Sequence, residues 1–228
     1  MIFYLSSPNN QLQAAAVNDC PVLLSFAIAG GSRWQMEYLP SYSRVLLDSG
    51  AYTEYNTGKP VDGPRYVDWV SEIPCADAYA GIDDIRGDWR LSLRNYEDFG
   101  GFPTIHDSDP PGLLDDLIPM ARERGGWIGV GLTKPRHGKE KWVGEILGRM
   151  PDDLHVHGWA LGMYLQFPRL DSVDSTNWWR DGMKLRTMSM TAHLTYAECL
   201  EIVVKRYRRQ KRLTVSSKQV QEELWVSN

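Results

Sequence analysis

The sequence predicts an α/β fold, a single TIM-type (β/α)8 barrel with a C-terminal helical appendage, and three observations carry that prediction. Eight short apolar, β-rich runs recur along the chain. Each is followed by a polar or amphipathic stretch that can return the chain antiparallel, the pattern of repeated βα units. Asp48, Asp83, His106, His157 and Asp174 each lie at or just beyond the end of a run, and in such a barrel the chemistry sits at the C-terminal ends of the strands. A doubly wound open sheet shows the same alternation, so the number of strands is the main discriminator.

Read in order, the strands cover residues 2–5, 22–27, 45–48, 78–82, 103–106, 127–131, 155–160 and 172–174. Helices are expected between them at 9–17, 33–39, 64–73, 90–99, 112–124 and 139–150, with a shorter one near Tyr164. The polar stretch 52–63, which carries a Thr57-Gly58-Lys59-Pro60 turn, reads as an active-site loop. No ninth strand is evident after Trp179. Residues 1–180 are therefore expected to form the barrel, and 181–228 a helical extension packed on it. That extension reads as a mobile polar connection, a helix opened by the capping box Thr195-Tyr196-Ala197-Glu198, and a short final helix.

A length of 228 residues suits one undivided barrel domain. A hydrophobic fraction of 43% and a charged fraction of 24% exclude a disordered or fibrous chain. The nine tryptophans and eleven tyrosines serve packing or stacking on planar ligands, with packing expected for most. Cys20, Cys75 and Cys199 form no CxxC pair, which argues against a zinc ribbon or disulfide framework and fits a reducing cytoplasm. The N-terminus lacks the charged and long apolar regions of a signal peptide, and no stretch approaches the ~20 apolar residues of a membrane span. A soluble protein that is not exported and contacts no membrane is expected.

With a net charge of −4 the molecule has no general attraction for a polyanion, so nucleic-acid contact must come from a local patch. One patch stands out, because Lys205, Arg206, Arg208, Arg209, Lys211 and Arg212 cluster at the end of the helix from Thr195. Such a cluster either binds phosphates or is a solvated helix end matching the macrodipole.

Four segments carry candidate chemistry. Val45-Leu46-Leu47-Asp48-Ser49-Gly50-Ala51-Tyr52 is an apolar strand ending in a carboxylate, a hydroxyl, a glycine and an aromatic ring. Ala78-Tyr79-Ala80-Gly81-Ile82-Asp83-Asp84 again ends in acid, and a carboxylate offers paired acceptors to two adjacent N–H donors. In Val156-His157-Gly158-Trp159-Ala160-Leu161-Gly162, Gly158 lacks a Cβ and reads as a position where a flat ligand approaches the main chain. Ser172-Val173-Asp174-Ser175 is a fourth strand end bearing an acid, with Asp171 as a neighbouring candidate.

In sequence and order these segments resemble the DSGG(F/Y), FDE, VGGLAVGE and MFDC motifs of the tRNA-guanine transglycosylase (queuine tRNA-ribosyltransferase) superfamily. The resemblance covers roughly residues 45–178. It implies that Asp174 is the nucleophile and Asp48 the general acid/base. It further implies that Asp83 reads the base edge with Ser49 and Gly158, that Tyr52 stacks on the base, and that His157 and Trp159 line the base pocket. This chain departs from the pattern at Ala51, His157, Trp159 and Met163, and it has no counterpart of the family's zinc subdomain.

The zinc-less form is most similar to the phage-associated DpdA-like 7-deazaguanine DNA transglycosylases. That likeness implies exchange of guanine in DNA (alternatively tRNA) for a 7-deazaguanine such as preQ0 or preQ1, in a host cytoplasm if phage-encoded. The intermediate would be a covalent glycosyl-aspartate, formed with no cofactor. A metal shared by His155 and His157 is weighed and not expected, since a barrel metal site draws more ligands from other strand ends. His106 reads as a pocket wall without a role. Alternatives are a hydrolytic DNA glycosylase or nucleoside hydrolase using the same carboxylates, and a non-catalytic nucleic-acid-binding barrel. The oligomeric state is left open.

Overall fold

The computed structural model describes residues 1–30, 32–133 and 138–213, without the side chains of Arg33 and residues 209–213. The chain alternates strands and helices: β1 (Ile2–Ser6), α1 (Gln11–Ala16), β2 (Pro21–Ser25), α2 (Phe26–Ala29), α3 (Arg33–Tyr38), β3 (Arg44–Asp48), α4 (Ala51–Thr57) and α5 (Gly63–Ser71). It continues through β4 (Ala78–Tyr79), α6 (Trp89–Phe99), β5 (Thr104–His106), α7 (Leu113–Glu123), β6 (Trp127–Gly131) and α8 (Glu140–Arg149). It closes with β7 (His155–Gly158), β8 (Ser172–Ser175), α9 (Asn177–Thr187) and α10 (Tyr196–Leu213).

Local chemistry explains the helix starts. Asn10, Asp62 and Asp88 each accept the amide three residues on, capping α1, α5 and α6. Each longer helix then buries one stripe, as α7 does with Leu113, Leu114, Leu117 and Ala121 and α8 with Val143, Ile146 and Leu147.

All eight strands are parallel and form one sheet in the order β4-β3-β2-β1-β8-β7-β6-β5. The sheet curls until its edge strands meet, but there the pairing thins to one bridge between Ala80 and Phe102. Two backbone bonds serve it, from Gly81 N to Phe102 O and from Phe102 N to Tyr79 O, both 2.9 Å. The expected closed barrel is thus met in part: seven interfaces are paired ladders, and the eighth is one bridge because β4 is only two residues long, not the expected five.

Period-two alternation divides the core. Tyr4, Leu23, Leu46, Ala80, Phe102 and Trp127 turn to the inside of the curl and form one apolar cluster. Their strand neighbours Leu5, Val22, Leu24, Val45 and Leu47 pack outward under the helices of one half. Ile105, Ile128, Val130, Val156 and Val173 do so in the other half. Burying each such aliphatic side chain contributes about 1.5–3 kcal/mol.

Three expectations need correction. The stretch after β3 is not all loop, since Ala51–Thr57 is a helix between two left-handed glycines, Gly50 (φ 86°) and Gly58 (φ 71°). No helix forms near Tyr164, where the chain makes successive turns between β7 and β8. The connection after Trp179 is helix α9, whose apolar stripe is only Trp178, Gly182 and Leu185 and therefore reads as polar in sequence. Gly182 lets α10 approach, because a Cβ there would stand 2.7 Å from Leu200. The expected final helix lies outside the described residues. Among the described residues no helix is long and apolar enough to cross a membrane.

Candidate active site

The inward side chains become polar at the C-terminal ends of the strands. Register sets Ser25 of β2 beside Asp48 of β3. The Ser25 hydroxyl and the Gly50 amide donate to the Asp48 carboxylate, but loss of hydration deep in the curl outweighs them. Repulsion from Asp83 and Asp174 adds to it, and the Asp48 pKa is pushed up to about 6. Gly50 is required for this turn, because at its positive φ a Cβ would stand 2.7 Å from that of Ala27.

Asp174, from β8, is held in the opposite state. It is 8% exposed. Burial opposes its charge, yet the His157 imidazole, the Ala160 amide and the Ser6 hydroxyl together outweigh that and hold the carboxyl below its usual range. Ser6 Oγ donates to Oδ2 and Ala160 N to Oδ1, each at 2.7 Å. Ala160 takes a left-handed φ of 51°, uncommon for a residue with a Cβ, and this turns its amide onto the carboxylate. Nothing in an alanine advertises that conformation, so sequence reasoning missed it.

His106 also has a role at the mouth. Its Nε2 lies 3.1 Å from Asp83 Oδ2 and its Nδ1 3.7 Å from Asp109 Oδ2. Burial pulls its pKa down, but Asp109 and Asp83 prevail and raise it to about 9, so the ring is a cation at neutral pH. The Asp109 carboxylate also accepts the His106 amide at 2.7 Å. Asp83 thus has one oxygen tied to a buried cation, and it borders a shallow open cleft lined by Ala51, Glu54, Tyr55, Asp84, Ile85 and Arg86.

The inside of the curl accommodates these rings because β6 presents glycines. A Cβ on Gly131 would stand 2.6 Å from His106, and one on Gly129 2.5 Å from Trp159 Nε1. Trp159 stacks on Phe102 with ring centres 5.9 Å apart and donates to Thr104 Oγ1 at 3.0 Å. It is partly buried beside Asp174's neighbours, within the same layer.

Several expected base contacts are arranged differently. Gly158 faces outward by strand alternation, where Leu161 and Leu170 pack against it. Ser49 is fully buried, its oxygen 3.4 Å from the Ala51 amide. His157 has no exposed surface and points into the curl. Tyr52 is on α4, 42% exposed and stacked with Tyr55 at 6.3 Å. Asp171 accepts the Val156 amide and pairs with Arg169, which leaves Asp174 as the acid at the strand's C-terminal end.

The basic helix end is remote from this layer. Arg208 donates to the Asn18 carbonyl and to Cys20 Sγ, just before β2 begins, and Tyr207 packs on Phe3 at the start of β1. Arg208 therefore lies at the N-terminal end of the sheet, opposite the carboxylates. Arg206 is exposed, and Lys205 faces Glu201 at 3.9 Å. The side chains of Arg209, Lys211 and Arg212 lie outside the described residues. Among the described residues no three His, Cys, Asp or Glu side chains group to hold a metal ion, and His155 and His157 both face Ser172.

Comparison with protein-family models, with curated proteins and with solved structures gives no match.

Proposed function

We propose that this chain is a base-exchange transglycosylase in which Asp174 is the nucleophile and Asp48 the general acid/base. The observation that carries the reading is the opposite tuning of two mutually repelling carboxylates from β8 and β3, one held below its usual range and the other raised to about 6. Splitting the pKa values of two acids is how a site that forms and breaks a glycosyl ester divides its labour.

An Asp174 oxygen attacks C1′ of the nucleoside, and the C1′–N bond breaks with its electron pair passing to the departing base. Protonated Asp48 gives that base its proton. The incoming base then attacks C1′, releasing the Asp174 carboxylate, while Asp48 takes the proton the new base sheds. Ser6 and Ala160 each use one lone pair of the nucleophile's oxygens, and each oxygen keeps another for the attack.

A TIM-type barrel is the matching architecture, and the register supports it. Ser6 lies beside Leu23, Leu23 beside Leu46 and Leu46 beside Ala78. Continued across the Ala80–Phe102 bridge and through β5 to β8, the register returns to β1 displaced by eight residues. That stagger is the one that closes eight tilted strands.

The choice of guanine and a 7-deazaguanine such as preQ0 or preQ1 rests on motif order and on Asp83. Its carboxylate, beside the His106 cation, accepts from a base edge bearing adjacent N–H donors. The choice of DNA rests on resemblance to the zinc-less branch. A target base must then be extruded from the stack, at roughly a few kcal/mol. The basic end of α10 can touch the same polymer only about a strand's length, ~16 Å, from the reacting carbon.

The test is intact-mass spectrometry of the protein mixed with DNA or with tRNA, followed by incubation with labelled guanine. A covalent adduct is expected with wild type and not with Asp174→Asn, and label should enter the polymer. Abasic sites without label would mean hydrolysis. Absence of any adduct with either polymer, with the Asp48→Asn variant also tried to slow turnover, would leave a non-catalytic barrel.

A further inference from the structure

The inside of the curl holds a polar chain that base exchange as described does not use. Ser172 Oγ lies 2.8 Å from His157 Nδ1 and 2.8 Å from His155 Nε2. The other nitrogen of His157, Nε2, is buried without a hydrogen-bond partner among the described residues. It stands 3.6 Å from Asp174 Oδ1, too far for a hydrogen bond and near enough for the polarity of the ring edge to act on the carboxylate.

We propose that His157 is a positioning residue for Asp174, and that Ser172 with His155 sets which of its ring nitrogens bears the proton. The serine has one hydroxyl hydrogen to share between two imidazoles. If Ser172 donates to His155, then His157 must donate through Nδ1, and a neutral His157 would turn a lone pair toward the carboxylate. If His155 donates through Nε2, the hydroxyl is free to donate to His157 Nδ1, and His157 presents an Nε2–H to Asp174. Both orders satisfy the two 2.8 Å contacts, and only the second turns an N–H toward the buried carboxylate. Burial holds the His155 pKa down at about 4, against the pull of Asp171 and Asp77 and with the push of His157 and Arg44, so His155 stays neutral. Trp127 stacks on it at 3.6 Å and fixes its ring plane.

The groups facing Asp174 come from four places: Ser6 on β1, the Ala160 amide after β7, Asp48 on β3 and His157 on β7. Ser6 and the Ala160 amide already donate to the carboxylate, and His157 Nε2 is left without a hydrogen-bond partner among the described residues. Tyr4 meets the His157 ring edge-on at 6.0 Å and Trp159 at 4.5 Å, so the imidazole has no room to turn away. This inference deepens the proposed function, since in that reading the ring favours the free carboxylate over its glycosyl ester and helps Asp174 leave in the second half-reaction.

The test is NMR on the full chain, which needs no activity. Carboxyl-13C aspartate labelling follows the Asp174 titration, and 15N imidazole spectra report the His157 tautomer. Replacing the ring by His157→Phe is expected to make Asp174 about tenfold weaker as an acid, and His157→Gln, which keeps an N–H donor, to restore part of that. Ser172→Ala keeps the ring and should alter the 15N pattern, which protects the test if His157→Phe fails to fold. An unchanged Asp174 titration in both His157 variants, or a wild-type spectrum with Nε2 unprotonated, overturns the proposal. If the titration moves as expected while no glycosyl adduct forms, the positioning stands and base exchange fails. In an active enzyme the acid limb of the rate profile should rise with the Asp174 titration.

Discussion

Single residues at the mouth show that carboxylates of one chemical type can be put to different uses by their neighbours. Asp48 loses water and faces two other acids, whereas Asp174 gains an amide, a hydroxyl and an imidazole. His106 is the balancing charge. Its folded pKa of about 9 exceeds the ordinary 6.5, so the folded state binds this proton more tightly than the unfolded chain does. Stability from that proton is complete below about pH 6.5 and is lost as pH rises through 9. His106→Gln should therefore destabilise the protein by on the order of 3 kcal/mol near pH 6 and by much less near pH 10. Urea unfolding of both proteins at the two pH values checks this, and a pH-independent gap would mean that His106 acts only by packing.

At the scale of elements, β6 illustrates a strand shaped by its neighbours. Its inward glycines leave room for Trp159 and His106, rings contributed by the chain after β7 and by β5. Gly129→Ala would bring a methyl group to 2.4 Å from Thr104 Oγ1. A loss of about 1–3 kcal/mol is expected from such overpacking. Gly148→Ala makes the control, because on α8 a Cβ would meet nothing within 4 Å and alanine is the better helix former. Thermal melts should fall for the first variant and stay level or rise for the second. Helices α4 and α9 escaped sequence reading for a related reason. One is framed by left-handed glycines in a polar stretch, and the other buries only Trp178, Gly182 and Leu185.

For the whole molecule, the weakest line of the sheet runs between β4 and β5. Among the described residues only the backbone amides of Gly81 and Phe102 donate across it, while β2 and β3 are paired over five residue pairs. Hydrogen exchange should release the Gly81 and Phe102 amides well before the amides of β2 and β3. Equal protection would show that the curl opens only by global unfolding. The carboxylates on β3 and β8 are joined through continuous ladders by way of β2 and β1, whereas the Asp83–His106 pair spans the bridged line itself.

Much of this was legible in the chain itself. Apolar runs marked all eight strands, and an acid closing a run marked Asp48, Asp83 and Asp174, because strand period and strand ends are local properties that a one-dimensional pattern preserves. What required the tertiary structure was direction. Which face of the sheet Gly158 turns to, which groups surround the His157 ring, and at which end of the sheet Arg208 lies are set by alternation and by contacts between residues far apart in sequence. Electrostatic state belongs there too, since the pKa of a carboxyl is decided by the water it loses and the charges it gains, and both are fixed only when the chain has closed around it.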